Sequence, residues 1–537
     1  MARMSQILKL ITVIAFLWLF VILLMNIFNS GHSYHYINVE RKLQLQQQHK
    51  LHTMQFDNKP KSAGEPKDSK EINLDFNVTE PSITDLVPEL QKKLPNLPIE
   101  FFYSPHNKTL EKFRNCAQYP PIQMLNFYNT YWQTFHMDGS IFQLYGAYYD
   151  ERPESGPVVR ILAMTNHQQN EFPIIYCQLW FQDDNRPFIS TITEYKIIWE
   201  PSWGVKPNVY YPYLMTCEVP KNSNVTGDTT PKAVNVVGRQ CDTASNSLRV
   251  IYEKPAESVE KHDFAVCVKG LDFPYEDLSD RLVEWLEMLN ILGVHKVYMH
   301  NLQVHANISK VLNYYREKGF VEVQDITLVG GVQQPEIEHW LIKSYPLNKR
   351  LNELIPYNSC FYRNMYKYKY IALLDIDEII MPKDSLKSWQ QLLANLQTYE
   401  EGKNCPLGFP SLCVANAYFP SKEVPVRSNP SYMYMLNHVY RLKDYTPQRY
   451  YVKCLHNTRQ IVTLHNHYPF SYLNTDCKPL DIPPAYAQLQ HYRKTLSKDD
   501  NKEIKDHILV LDESVDRFRR LLLERCKKVL KDLKFIS

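Results

Sequence analysis

The rhythm of residues 262–325 most narrows the folds open to this chain. An apolar run at 264–268 is followed by Leu282, Trp285, Leu286, Leu289 and Leu292, which recur at helical spacing and stop at Gly293. A second strand-like run, 296–300, leads to a helical stretch at 308–318 that Gly319 ends, and a third run covers 320–325. Strand, helix, strand, helix, strand predicts a parallel sheet with right-handed crossovers. A further helical stretch near 358–366 feeds a fourth strand, 370–374. That strand ends in Asp375, Asp377 and Glu378, and Ile379, Ile380, Met381 and Pro382 close the run.

A buried strand that ends in carboxylates needs a reason, because ionised carboxylates are costly to bury unless paired or metal-bound. In an open α/β sheet the carboxyl ends of the strands form the ligand crevice. Two aspartates one residue apart can both reach a hard cation, or one can hold the metal while the other takes a ribose. Oxygen ligands suit magnesium or manganese. Such a cation can carry a diphosphate and neutralise it as it leaves. An isolated D-x-D more often marks a strand leaving into a charged turn. Here the preceding strand, the third acid and the closing proline add weight to the metal reading. No G-x-G-x-x-G and no P-loop is present, so a dinucleotide or Walker-type site is not supported.

The chain has 537 residues, enough for two or three domains, and its 61 basic and 58 acidic residues nearly balance. That balance gives no support for a nucleic-acid binder. Residues 7–28 are apolar apart from Lys9, Thr12 and Asn26. About twenty such residues span a bilayer, and this core is too long and bulky for a cleaved signal peptide. The expected layout is a cytosolic tail at 1–6, a signal-anchor helix at 7–28 and a lumenal stem at 29–98. A β-rich accessory domain at 99–258 and an α/β domain at 259–537 complete it. The stem reading rests on a glutamine cluster at 44–48, a Lys/Pro/Ser/Gly stretch at 58–70, and prolines at 81, 88, 95 and 98. The accessory domain rests on tyrosine-, valine- and isoleucine-rich runs at 140–149, 158–164, 174–181 and 191–199, read as antiparallel strands. After 497 a last helix is expected, with Val515, Phe518, Leu522 and Val529 on its buried stripe.

Four glycosylation sequons, at Asn77, Asn107, Asn224 and Asn307, all lie beyond the anchor. Eleven cysteines with no C-x-x-C pair exclude a zinc ribbon, suggest several disulfides in a lumenal chain, and leave at least one unpaired.

Five motifs in order carry a resemblance. They are Cys267-Val268-Lys269-Gly270; Leu282-Val283-Glu284-Trp285 with Leu292-Gly293-Val294; Cys360-Phe361-Tyr362-Arg363; the run from Leu374 to Pro382; and Gln490-His491-Tyr492-Arg493. Together they make residues 262–495 resemble glycosyltransferase family 92, whose fold is of the GT-A type. Ser359 departs from the pattern, where an acidic residue is expected before the cysteine. The resemblance implies inverting transfer of a hexose, usually galactose from UDP-galactose, onto a glycan such as a fucosylated N-glycan core. It implies manganese (or magnesium) as cofactor and a single-pass type II Golgi membrane protein with its catalytic domain in the lumen.

On this reading Asp377 coordinates the metal directly, and Asp375 meets the ribose and the metal edge. GT-A sites often recruit a later histidine, and His465, His467 and His491 are the candidates. The expected metal set is Asp375, Asp377 and His467; the expected nucleotide-sugar set is Asp375, Asp377, His491 and Arg493. Glu336, Glu338 and Glu423 are open candidates for the base that deprotonates the acceptor, and no spacing selects among them. Two other classes compete: an inactive, membrane-anchored lectin-like glycan binder, and a metal phosphohydrolase. Intact clustered acids speak against the first. The second should show further Asp/His clusters near other strand ends, and the chain has none as tight.

Overall fold

The computed structural model describes residues 81–103, 116–166, 172–182, 184, 186–203, 206–220, 230–329, 334–396, 405–421, 424–493 and 508–537. The apolar span at 7–28, the stem up to residue 80, the sequons at Asn77, Asn107 and Asn224, and Glu423 lie outside them. Among the described residues no helix is long and apolar enough to cross a membrane.

The last part of the expected stem is corrected by a helix, α1 (Ile83–Lys93). Ser82 caps it by accepting the Asp85 N–H. Asp85 in the first turn and Lys92 and Lys93 in the last complement the helix dipole. The buried Gln91 amide donates to the Leu94 and Leu97 carbonyls and folds the following turn back, where Leu97, Ile99 and Leu125 cluster. Pro95 and Pro98 fall in that turn, where a missing N–H costs little. The proline count therefore marks a turn rather than an unordered stem.

Nine strands follow: β1 (Phe127–Asn129), β2 (Trp132–Met137), β3 (Ser140–Asp150), β4 (Val158–Thr165), β5 (Tyr176–Trp180), β6 (Phe188–Ile197), β7 (Tyr211–Glu218), β8 (Ala233–Val237) and β9 (Leu248–Ile251). Their order is β1-β2-β3-β4-β7-β6-β5-β8-β9, and β9 returns to pair with β3, Ala147 lying opposite Val250. Strands β3 to β9 thus close on themselves, which removes the exposed edges of an open sheet. Along β4 the side chains alternate: Val159, Ile161 and Ala163 fill the barrel interior, while Leu162 and Met164 face outward into a second core. The Cys177–Cys217 disulfide lies in the interior.

The second half carries β10 (His262–Phe273), α2 (Ser279–Ile291), β11 (Lys296–Val304), α3 (Ala306–Glu317) and β12 (Val321–Asp325). Then come α4 (Pro335–Ser344), α5 (Pro346–Asn352), α6 (Leu354–Asn364), β13 (Tyr368–Leu373), β14 (Glu378–Pro382), β15 (Ser411–Val414), β16 (Asn416–Pro420) and α7 (Tyr434–Asn437). The chain ends with β17 (Tyr440–Leu442), β18 (Lys453–Asn457), β19 (Ile461–Leu464), β20 (Pro469–Tyr472), β21 (Leu480–Ile482), β22 (Ala487–Arg493), β23 (Leu509–Leu511) and α8 (Arg519–Asp532). The main sheet runs β12-β11-β10-β13-β18-β15-β21, its first four strands parallel and β18 antiparallel to β13. Gly293, at φ +96°, ends α2 as the sequence predicts.

Alternation along β10 explains the layering. Phe264, Val266 and Val268 face a core shared with α2, α3 and α8, while Ala265 and Cys267 face α6 and the outside of the barrel. The Cys267–Cys360 disulfide ties β10 to α6 on that side. Tyr148 of the barrel donates to Ser359 at 2.8 Å and stacks on Tyr362, and Arg152 donates to the Thr458 and Ile461 carbonyls. Ser359, the departure from the family pattern, therefore serves the packing of the two halves. These halves share one core, so the boundary near residue 258 separates two sheets rather than two independently packed bodies. Five disulfides form in all, and Cys526 is free and buried in α8.

Two histidines in this frame set an acid limit. His300 and His456 are buried, and burial lowers their pKa values from 6.5 to about 4 and about 3. Below pH 6.5 the unfolded chain takes protons at these rings and the folded chain does not, so stability falls as pH drops. Urea unfolding at pH 7 and pH 5 should show this loss, on the order of 1–2 kcal/mol per ring. Equal stability at both values would contradict it.

Candidate active site

Strand β13 leaves the main sheet at Leu374, whose N–H still donates to Cys267, and the chain crosses to β14 in the second sheet, β14-β22-β16. Asp375, Ile376 and Asp377 form the crossing. A turn bond from the Glu378 N–H to the Asp375 carbonyl (3.0 Å) closes it, and the Tyr492 N–H holds the Asp377 carbonyl at 2.8 Å. The aspartates thus lie at the carboxyl end of a parallel strand. β10 has β11 on one side and β13 on the other, which makes this the switch point of the sheet.

The two aspartates differ in their surroundings. Asp375 takes Lys269 Nζ on Oδ2 at 3.1 Å and the Tyr357 hydroxyl on Oδ1 at 3.0 Å. Burial opposes its charge, but Lys269 and Lys453 outweigh burial and hold the carboxyl well below the usual range. Lys269 also pairs with Glu353 at 3.1 Å. Asp377 is one-third exposed, and the His491 ring lies beside it, with Nε2 at 3.7 Å. Burial works against its charge too, and His491 and Arg281 lower its pKa.

Glu378 points into the protein. It is 2% exposed, and its Oε2 accepts both the Asp375 N–H (2.9 Å) and Lys453 Nζ (3.0 Å). Burial raises its pKa in spite of Lys453. Lys453 is fully buried and donates also to Asn466 at 2.5 Å. His491 pairs in register with Glu378 across β14 and β22, and its Nδ1 is buried with no hydrogen-bond partner. Arg493, two residues along the same strand, lies over the Tyr418 ring at 5.7 Å, and Tyr418 also meets His491 at 5.2 Å.

His467 follows β19, with Nδ1 3.2 Å from the Val452 carbonyl. Burial and Lys453 lower its pKa from 6.5 to about 2, so the ring is neutral. With Nδ1–H donating to that carbonyl, Nε2 keeps its lone pair, the tautomer a metal ligand needs. His465 packs against Trp203, ring centres 4.9 Å apart. Among the described residues no three His, Cys, Asp or Glu side chains stand close enough together to hold a metal by themselves. The structure therefore brings Asp375, Asp377, Glu378 and His491 together but does not complete a three-ligand set with His467. A magnesium- or manganese-type ion commonly takes only one or two carboxylates and fills its shell with phosphate oxygens and water. Two ionised aspartates, one of them open to solvent, fit such an ion.

Of the proposed bases, Glu338 is buried on the Leu328 N–H and its pKa is pushed up to about 7 by burial; Glu336 accepts from Gln334 on the surface. At the described sequon, Asn307 Nδ2 donates to Asp277 at 2.6 Å. Sequence reasoning did not single out Lys269, Glu353, Arg281 or Lys453. Lys269 carries a local signal, a cation just beyond a buried strand, and so does Arg281, one residue before the Leu282-Val283-Glu284-Trp285 motif. Arg281 lies 3.8 Å over the Tyr434 ring. Trp285 and Glu284 of that motif also serve the site: Trp285 Nε1 donates to the Glu378 carbonyl at 2.7 Å, and buried Glu284 accepts the Met435 and Leu436 N–H groups of α7.

No curated protein matches the chain. The family model described as glycosyltransferase family 92 matches residues 262–530. The matched span is half the chain and contains all five motifs and the acid run with Lys269, Glu353 and Lys453 around it. This chain belongs to glycosyltransferase family 92, and transfer of a sugar from a nucleotide-sugar donor to a glycan acceptor is the activity its site has to perform.

Proposed function

We propose that the protein is an inverting, metal-dependent hexosyltransferase that moves galactose from UDP-galactose to a glycan such as a fucosylated N-glycan core. The observation that carries this reading is the pair Asp375 and Asp377, held ionised at the switch point of a parallel sheet inside the family's matched span. Asp377 and Asp375 would hold the manganese or magnesium ion, with phosphate oxygens and water completing its shell. The bound ion would supply charge neutralisation at the leaving diphosphate. Lys269 balances Asp375 in its absence. His491 and Arg493 lie along one strand beside the acids and offer N–H donors toward phosphate oxygens.

A small crevice of about 80 Å³ at the carboxyl ends of β10, β11 and β12, lined by Lys269, Gly270, Phe273, Leu302 and Ile326, offers an apolar edge to the donor's base but does not enclose a whole nucleoside. Inversion is a single displacement. The acceptor hydroxyl oxygen bonds to the anomeric carbon, the bond to the diphosphate oxygen breaks, and the hydroxyl proton passes to a base. Glu353 lines both the crevice and the larger cleft beside it, so it stands where such a base would be needed. The apolar span at 7–28 supports a type II membrane anchor, and the disulfides support a lumenal setting for the catalytic part; the Golgi follows only from what the family resemblance implies.

The test is product analysis. Full chain in detergent is given UDP-galactose, fucosylated core glycan and manganese, and the new linkage is read by NMR. The expected product has the anomeric configuration opposite to the donor's and disappears with a chelator. Retained configuration would overturn inversion; transfer from another UDP-sugar in preference would overturn the choice of galactose.

A further inference from the structure

A cleft of about 1840 Å³ lies beside the acid run and is walled by both halves of the protein. Lys269, Lys349 and Glu353 line this cleft and the strand-end crevice alike, so they form the partition between the two spaces. Lys269 is the residue bonded to Asp375, which links that partition to the acid run. A site for one small ligand occupies about 300–1,000 Å³. The cleft is larger than that and distinct from the small strand-end crevice.

Its walls combine aromatic rings with charged side chains, among them Lys206, Arg350, Arg449, Lys478 and Asp481. Trp203, on the turn Pro201–Trp203 of the barrel half, packs against His465 (4.9 Å between ring centres) and Phe470 (5.9 Å), both from the second half. Trp199 meets it edge-on at 5.0 Å. These contacts fix the indole, yet 44% of Trp203 stays exposed. Tyr450 and Tyr451, from the loop before β18, line the same cleft and are 64% and 54% exposed. Asn208 and Asn466 stand among the rings. Fixed aromatic faces interleaved with amide groups suit a ligand with apolar C–H faces and hydroxyl edges, which is the chemistry of a sugar ring.

We propose that this cleft binds the oligosaccharide acceptor, with Trp203 as the platform for one of its sugar rings. On this assignment the barrel half contributes Trp199, Trp203 and Asn208 to an acceptor cleft whose other wall comes from the second half. The inference rests on the transferase reading above and adds where the acceptor lies.

Full chain in detergent is applied to an array of defined oligosaccharides in the presence of UDP and manganese, and UDP binding is measured separately by calorimetry. Wild type should retain a subset of the oligosaccharides. Trp203→Ala should weaken that retention about tenfold, Trp203→Phe should restore part of it, and Tyr450→Ala should also weaken it. UDP affinity should stay within about twofold in all three, because none of these residues lines the crevice. If Trp203→Ala fails to fold, exposed Tyr450 decides the matter alone. Unchanged retention in the variants, or no oligosaccharide held by a wild type that binds UDP, would overturn the assignment. A wild type that fails to bind UDP would sink the donor reading instead, and the array would still decide the cleft.

Discussion

Asp377→Asn should cut sugar transfer by about 10²–10³-fold or more and change folding stability by less than about 1 kcal/mol. The asymmetry follows from its surroundings. Its side chain is one-third exposed and the neighbouring His491 ring is 3.7 Å away, so the fold asks little of the charge. The bond that ties this position to β22 uses its backbone carbonyl, which the substitution keeps. The proposed chemistry asks much more, since Asp377 would act on the leaving diphosphate through the cation it would hold. Asp375→Asn should lose both. It would leave Lys269 with Glu353 as its remaining close acid and weaken the tie from Tyr357. Parallel kcat/KM and urea-unfolding measurements on the two variants separate these roles. A stability loss in Asp377→Asn as large as in Asp375→Asn would contradict the division.

Lys453→Met should destabilise the protein by about 3–5 kcal/mol, because it strands a buried carboxylate. Lys453 and Glu378 are 0% and 2% exposed and 3.0 Å apart. Neither has water to fall back on, and burial already pushes the Glu378 pKa upward with the lysine in place. The double variant Lys453→Met/Glu378→Gln should recover most of the loss, since no unpaired charge then remains. Activity should not recover with it. Glu378 Oε2 accepts the Asp375 N–H, so the pair fixes the backbone from which the first aspartate projects. Unfolding free energies around the cycle give the coupling, and full additivity would show that the pair does not hold this turn.

Much of the scaffold is legible because it follows periodicity. The runs read at 140–149, 158–164, 264–268 and 296–300 all lie within strands, and helices follow the last two as the helical spacing puts them. The acid run is legible for a related reason: charge at the end of a fully apolar strand has few structural excuses. Closure of the barrel by β9 onto β3 is not legible, since it depends on strands a hundred residues apart. Nor is the shared core. Leu162 and Met164 look like ordinary strand residues until the barrel packs on α6. Lys453 shows the same limit at the site. In the sequence it is a lysine between Val452 and Cys454; only antiparallel pairing of β18 beside β13 brings it beneath Glu378. Residues 81–98 went the other way. Their prolines suggested an unordered stem, and a capped helix with a buried glutamine overrode that composition.

The most direct test of the account is UDP release by the full chain from a panel of UDP-sugars with glycan acceptor, with and without manganese, run for wild type and Asp377→Asn side by side. Manganese-dependent release from one donor, abolished in the variant, is the predicted result. Equal release by wild type and variant, or release indifferent to manganese and chelator, would contradict the claim that Asp375 and Asp377 form a metal-dependent donor site.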